Sequence, residues 1–477
     1  MKKIFTLFIL LLMLPVTVLA ADEPATLYVG ETDITTGGYW KTTDNGKLEP
    51  GSESAYNVHY DGNGTLTLNN ATIQGRGNSS NMQPEDYGIY AAPTGNQSVS
   101  LTINLIGSNT VSGIDGIRIE AKPSGNATLV IQSDRNDPTG NLKVIASAWN
   151  GIKVSADNGS VSLTINNASV EASTESQSYV GVSLASLIAS APILSLTVNG
   201  GSLTAQGKSG IRYFSGGGTN PSTSLTVSGS ALIKAIPDIS ASVASVPTPK
   251  ADSESGGIVF DGKNGTMYGD VTLQENLEIG KDETLTIPEG ATLNTGDKLT
   301  NNGKIINYGT IKGTVTGTVA TPLTVEMITV ADATYTGVPV TPDVTVEKDG
   351  VTYTDYTVSY SNNIKAGTAI VTVTPEESSL LLGDAVTKEF TIAKATPEIT
   401  LNVPLGEALV YDGKAKEVTA TVKGVENETE DLTASVAYYS DDTYQTNVEE
   451  AMNAGTYYVK ASFAETTNYM AMEETAS

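Results

Sequence analysis

Leu163-Thr164-Ile165-Asn166-Asn167-Ala168-Ser169-Val170-Glu171-Ala172 decides the fold, because loosely spelled versions of this phrase occur six times between residues 60 and 240. The others are Leu66-Thr67-Leu68-Asn69-Asn70-Ala71-Thr72-Ile73, Leu101-Thr102-Ile103-Asn104, Leu129-Val130-Ile131, Leu196-Thr197-Val198-Asn199 and Leu225-Thr226-Val227. A second phrase alternates with it: Gly88-Ile89-Tyr90, Gly116-Ile117-Arg118-Ile119, Gly151-Ile152-Lys153-Val154, Gly181-Val182-Ser183-Leu184 and Gly210-Ile211-Arg212-Tyr213. A period of roughly 30 residues marks a repeat architecture in which each unit buries its apolar face against its neighbours. Within Leu163-Thr164-Ile165 the alternation puts leucine and isoleucine inside and threonine outside, as in a half-buried strand. Val170 and Ala172 make a second strand after the Asn-Asn-Ala-Ser bend, and Ile152 and Val154 a third. Three short strands and three bends per unit predict a coil. Stacked coils set like strands about 4.8 Å apart, giving an all-β, right-handed parallel β-helix over 61–260. Asn69, Asn104, Asn166 and Asn199 follow a strand at an equivalent place. They read either as a stacked amide ladder or as the plain turn preference of asparagine.

Working outward, residues 1–20 read as an export signal. Lys2 and Lys3 form its basic end, 4–14 its apolar stretch, and Val18-Leu19-Ala20 its cleavage site. Residues 21–60, with Trp40 and the single histidine His59, are expected to cap the open first coil, since a bare sheet edge invites association. Pro237, Pro247 and Pro249 break the pattern, and 236–256 is read as a loop projecting from one coil. The period then shortens through Val271-Thr272-Leu273, Leu277-Glu278-Ile279, Leu285-Thr286-Ile287 and Asn302-Gly303-Lys304-Ile305, which predicts small closing coils over 261–321. Beyond Pro322 the strands lengthen. Tyr335-Thr336-Gly337 with Ala366-Gly367-Thr368, and Tyr411-Asp412-Gly413 with Ala454-Gly455-Thr456, mark two β-sandwich modules, 322–395 and 396–477. The first ends in Phe390-Thr391-Ile392. The second shows no counterpart of that strand before Ser477, so either the chain is a truncated product or the natural protein runs on into further modules and an anchor.

The chain has no cysteine, which excludes a disulfide framework, and a net charge of −26 whose excess is steepest beyond residue 322. Such a surface disfavours nucleic acid and anionic membranes. The expected location is outside the cytoplasm, secreted or on the cell surface, with no membrane insertion once the signal is removed.

The run from Thr65 to Ile73, the run Ile103-Asn104-Leu105-Ile106-Gly107-Ser108-Asn109-Thr110-Val111 and the Asn150-Gly151-Ile152 turn resemble a bacterial family of carbohydrate-binding parallel β-helix domains. The likeness covers about 55–260, and its relatives from cellulose-degrading clostridia imply calcium-assisted binding of acidic plant polysaccharide. The C-terminal units are similar to Tyr-x-Gly-type bacterial immunoglobulin-like surface modules. Their clearest landmark is Asp355-Tyr356-Thr357-Val358-Ser359-Tyr360-Ser361-Asn362-Asn363 followed by Ala366-Gly367-Thr368. One departure stands out: where the clostridial relatives place paired acids before the Gly-Ile glycine, this chain has Tyr87, Asp115, Asn150, Val180 and Ser209. Only Asp115 is acidic there, with Asp86 one position further out. Calcium takes six to eight oxygen ligands, so a site on Asp86 and Asp115 needs backbone carbonyls and waters as well. No cofactor is expected, with calcium at that pair as the open alternative.

Glycoside hydrolysis needs two carboxyl groups flanking the bond. Here Asp115, Glu120, Asp134, Asp137 and Asp157 are scattered over bends, and no metal-ligand spacing, phosphate loop or nucleophile motif is present. The leading expectation is a non-catalytic surface protein that binds an extracellular glycan or a cell-surface ligand; the runners-up are a pectin-directed lyase or hydrolase and a structural spacer. Candidate ligand-binding residues are Trp149, Tyr179 and Tyr213, set near one edge on successive coils. Arg118 and Arg212, in equivalent places beside Lys153, either meet a glycan carboxylate or decorate a solvated strand.

Overall fold

The computed structural model describes residues 23–477 apart from 79, 81, 136–139, 218–220, 243–244, 253–254, 349 and 377–378; the expected signal and Asp137 lie outside the described residues. The chain is all-β with parallel sheets and divides into two compact units, 1–319 and 320–477. No helix among the described residues is long and apolar enough to cross a membrane.

In the first unit each repeat adds one strand to each of three parallel ladders. The first ladder runs through Ile89–Ala92, Ile117–Ala121, Ile152–Ala156, Val182–Ser186, Ile211–Ser215 and Ile239–Ala241. The second joins Thr65–Asn69, Val99–Ile106 and Ala127–Ser133 to the opening halves of Val161–Thr174 and Ile193–Gln206, then Ser222–Ser228. The third runs from Thr72–Gln74 through Ser108–Gly113 and Asn141–Ala146 to the closing halves of those same two long strands, then Ala231–Ile236. Register keeps apolar residues over apolar residues: Ile103, Ile131, Ile165, Val198 and Val227 form one interior row, all with 1% exposure or less. The bend between the two halves of Val161–Thr174 is made by Asn167 at φ 50°, a conformation that asparagine tolerates better than most residues.

The asparagine positions are only partly in register. Asn199 Nδ2 donates to Asn166 Oδ1 at 2.9 Å and Ser228 Oγ to Asn199 Oδ1 at 2.6 Å, whereas Asn104 donates to Asp134 and pairs in the ladder with Thr67, not Asn69.

Residues 26–60 cover the first coil with antiparallel strands: Thr26–Val29 lies along Ile89–Ala92, and Val58–Tyr60 along Thr65–Asn69. His59 stacks on Tyr39 at 4.1 Å. One reading of the following stretch needs correction. The proline-rich segment is more than a projecting loop, because Ile239–Ala241 and Lys250–Ala251 each join a ladder. The shorter coils expected over 261–321 follow a reversal of the chain. Gly257–Asp261 and Asn264–Tyr268 form an antiparallel hairpin around Gly262, at φ 62°, which reverses strand direction. Parallel pairing then resumes at a spacing of 18 to 22 residues, through Asn264–Tyr268, Thr284–Ile287 and Lys304–Asn307 and two smaller ladders. These coils enclose their own core around Phe260, Leu285, Ile287 and Ile305.

In the second unit the first module has a three-stranded antiparallel sheet and a four-stranded sheet in which Gly367–Pro375 lies between Tyr356–Ser361 and Val386–Ala393. The second module repeats the latter arrangement, with Tyr458–Phe463 between Ser435–Tyr439 and Met472–Ala476. That last strand corrects the sequence reading, which found no closing strand: Met-Glu-Glu-Thr-Ala lacks the apolar alternation of Phe390-Thr391-Ile392. The modules share one core. The Ala395 amide donates to the Asn468 carbonyl and the Met470 amide to the Ala395 carbonyl, both at 2.9 Å. Tyr335 and Tyr469 meet edge to face at 5.5 Å, and the hydroxyls of both donate to Glu428.

Candidate functional site

The turns that precede the first ladder stack with almost no space between them. Each glycine amide donates to the carbonyl of the next turn: Gly88 to Asp115, Gly116 to Asn150, Gly151 to Val180 and Gly181 to Ser209, at 3.1–3.2 Å. A Cβ on Gly88 would lie 2.4 Å from the Gly116 carbonyl oxygen, and one on Gly116 would lie 2.2 Å from a Val144 methyl. Only glycine permits this approach, and it lines up the residues just before each glycine at one edge of the ladder. Tyr87, Trp149 and Tyr179 come from that edge.

Their rings form a continuous row. Tyr87 and Trp149 lie 6.2 Å apart, Trp149 and Tyr179 6.4 Å, and Tyr90 stacks on Tyr87 at 5.3 Å with 22° between planes. Tyr87 is buried, Trp149 and Tyr90 are half-buried, and Tyr179 is 39% exposed. The Arg118 guanidinium lies 5.2 Å from the Tyr87 ring centre and 5.8 Å from that of Trp149, so one cation binds two rings of the row.

Arg118 is held in turn by carboxylates. Its Nη1 donates to Asp115 Oδ2 at 3.0 Å, and its Nε and Nη2 both donate to Glu120 Oε2, at 2.9 and 2.7 Å. Asp115 Oδ1 accepts from the Asn150 amide and side chain on the next coil, at 2.6 and 3.1 Å. Glu120 also takes the Tyr90 hydroxyl at 2.8 Å and faces Lys122 Nζ at 3.0 Å. Burial opposes the Glu120 charge, but Arg118 and Lys122 outweigh it and hold the carboxyl down at about 2. Burial pushes the Tyr87 phenol up to about 12, against the pull of Arg118. Burial and Glu120 raise Tyr90 too.

Lys153 follows Arg118 in the outward row and Ser183 follows Lys153, with Arg212 beyond. Burial, reinforced by Arg118, lowers the Lys153 ammonium from its usual value. Among the described residues neither Lys153 nor Arg212 makes an ion pair within 4 Å; Arg212 lies 4.8 Å from the Phe214 ring centre. Arg118 is thus structural cement, while Lys153 and Arg212 remain as charges flanking the small Ser183.

The structure brings Trp149, Tyr179 and Arg118 together, and it does not bring Tyr213 to them. Tyr213 has 0% exposure, points into the coil in the phase of Leu184 and Ile211, and donates its hydroxyl to the Ser224 carbonyl at 3.1 Å. The platform of three rings expected from the sequence is therefore corrected: its outer members are Trp149 and Tyr179, backed by Tyr87 and Tyr90.

Asp86 and Asp115 sit on adjacent turns but face different partners. Asp86 binds Arg76 Nε at 2.9 Å and the amides of Asn78 and Gln83, while Asp115 binds Arg118 and Asn150. Among the described residues no three His, Cys, Asp or Glu side chains gather where they could hold a metal ion. The residues present do not fit a calcium site, because the carboxylate oxygens that calcium would need are spent on cations and amides.

The signal that could have found this cluster is alternation on one strand: Arg118 and Glu120, two residues apart, must point the same way. The match of Tyr90 to Arg118 depends on the register between coils. No family model, curated protein or solved structure matches the chain.

Proposed function

We propose that this is a non-catalytic exported bacterial surface protein whose first unit, a right-handed parallel β-helix, presents a carbohydrate-binding or adhesive face, and whose two C-terminal modules form an immunoglobulin-like stalk. One observation carries the reading: Trp149 and Tyr179, 6.4 Å apart on successive turns, are partly open to solvent and backed by rings clamped by Arg118. Rings immobilised before binding lose little freedom when a sugar face stacks on them. Lys153, Ser183 and Arg212, alongside in the outward row, supply hydrogen-bond donors for hydroxyl or carboxylate groups. A pectin lyase or hydrolase is the weaker reading, since Asp115 and Glu120 are both committed to Arg118 and are poorly placed to exchange protons with a substrate.

The test is retention of the full mature chain on a panel of neutral and acidic polysaccharides, with and without calcium. Trp149→Ala and Tyr179→Ala should each weaken retention on the order of tenfold, the scale of losing one well-packed aromatic contact. Tyr213→Phe, which alters only an interior hydroxyl, should leave retention unchanged. Failure of every polysaccharide to retain the chain in either condition would remove the glycan reading.

A further inference from the structure

The cap on the first coil carries a second group of rings, on a different ladder from the Trp149–Tyr179 row. Tyr39 pairs with His59 across two antiparallel strands and His59 with Thr67. Thr67 pairs with Asn104 on the next coil, and the row continues to Gln132. Residues directly opposite one another in a sheet share a face. Their chain neighbours Val58, Tyr60, Leu66, Leu68, Ile103 and Leu105 are buried in the core. Tyr39, His59, Thr67, Asn104 and Gln132 therefore face outward together, each half-buried.

Tyr39 and His59 lie ring on ring, 4.1 Å apart with 15° between planes. Tyr56 closes on both from the side, 5.4 Å from Tyr39 at 60° and 5.7 Å from His59 at 58°. The imidazole thus has Tyr39 on one face and turns the other toward Thr67, the next position in the row. Threonine is small, and with strands about 4.8 Å apart the span from His59 across Thr67 to Asn104 is about 10 Å. Carbon atoms in contact sit about 4 Å apart, so this gap takes one further ring. Its far wall is polar: Asn104 Nδ2 donates to Asp134 Oδ2 at 2.9 Å. The same carboxylate reaches the rings, because burial, then Tyr39 and Asp134, raise the Tyr56 phenol from its ordinary value.

We propose that this gap is a second sugar subsite, in which one pyranose of a neutral glycan stacks its apolar face on His59, with Tyr56 at its edge and its hydroxyls on Asn104, Gln132 and Asp134. A pyranose has a face of C–H groups and a rim of hydroxyls, and it fits a site that sets an aromatic face beside a few polar groups. Asn104 and Gln132 each both donate and accept, while Asp134 only accepts; hydroxyls, which do both, match that set. An acidic sugar would bring its carboxylate up to Asp134, which opposes binding. The rings are already packed on one another, so little freedom is lost when a sugar joins them. No residue is shared with the Trp149–Tyr179 row, and either site can fail without the other.

His59 is the single histidine of the chain, so its imidazole protons report this place alone. The test follows their NMR signals in the full mature chain at constant pH while mannohexaose, xylohexaose or a galacturonate hexamer is added. At least one of the two neutral glycans should shift them saturably, and galacturonate should not. Thr67→Trp fills the gap from an outward position and should weaken that titration on the order of tenfold or more. Asn104→Ala removes the polar wall, leaves every ring in place and should weaken it too, which covers the case in which Thr67→Trp perturbs folding. Trp149→Ala should leave the titration unchanged. Imidazole signals indifferent to both neutral glycans would overturn the assignment. So would a response to galacturonate as strong as theirs, or a titration unaltered in both Thr67→Trp and Asn104→Ala.

Discussion

The solenoid and the paired modules use the same element, a short strand, and close their cores in opposite ways. In the solenoid interior residues pack on interior residues one coil away, as Ile165 meets Ile131 and Val198. In the modules one core gathers residues far apart in sequence, from Leu323 to Tyr469, and a single carboxylate, Glu428, accepts hydroxyls from both modules. Stability of the first kind is a sum over neighbours; stability of the second belongs to the whole unit. A charge cluster on the solenoid therefore has to be self-sufficient within two or three coils. Asp115, Arg118, Glu120, Tyr90 and Asn150 meet that condition.

The largest effect that would sharpen the contrast is Arg118→Ala. It leaves buried Asp115 without its cation and Glu120 with Lys122 alone, at a cost of about 3–5 kcal/mol. Arg212→Ala, at an equivalent place but with the Phe214 ring as its partner among the described residues, should cost under about 1 kcal/mol. Chemical denaturation of the solenoid transition measures both, and equal losses would mean that the cluster contributes nothing particular. Next comes a pair of cavity variants. Ile165→Ala and Phe390→Ala should each cost about 3 kcal/mol, but with different reach. Hydrogen exchange should quicken mainly in the coils beside Ile165 for the first, and across both modules for the second. A loss spread evenly through the solenoid in the Ile165 variant would break the nearest-neighbour account.

Much of this was legible, and the failures have separate physical causes. Alternation along Leu163-Thr164-Ile165 sorts inside from outside, and recurrence of the phrase implies like strands side by side; both need only local periodicity. The same alternation places Tyr213 inside, two residues from Ile211, and grouping it by coil rather than by phase put it on the surface. The reversal at 257–268 has no such signal, because Asp261-Gly262-Lys263-Asn264 reads like any other bend until its pairing partner is known. The bond from Tyr90 to Glu120 joins residues 30 apart and depends on how many residues each bend contains, a quantity the repeat leaves loose. Met472–Ala476 was missed because its outward residues are charged and its inward ones few.

A last effect separates the two regions by pH. Glu120 titrates at about 2 in the folded chain and near 4.5 when unfolded. Between those values the unfolded chain holds the extra proton, so acid favours unfolding. The stabilisation from this group is complete above about pH 4.5 and is lost as pH falls through about 2, an amount of order 3 kcal/mol. Glu120→Gln removes that slope from the solenoid's unfolding curve between those pH values and should leave the curve for the C-terminal modules where it was. If the solenoid's acid sensitivity is the same in Glu120→Gln as in the parent chain, the carboxylate is not ionised against Arg118, and the clamp on the aromatic row has to be sought elsewhere.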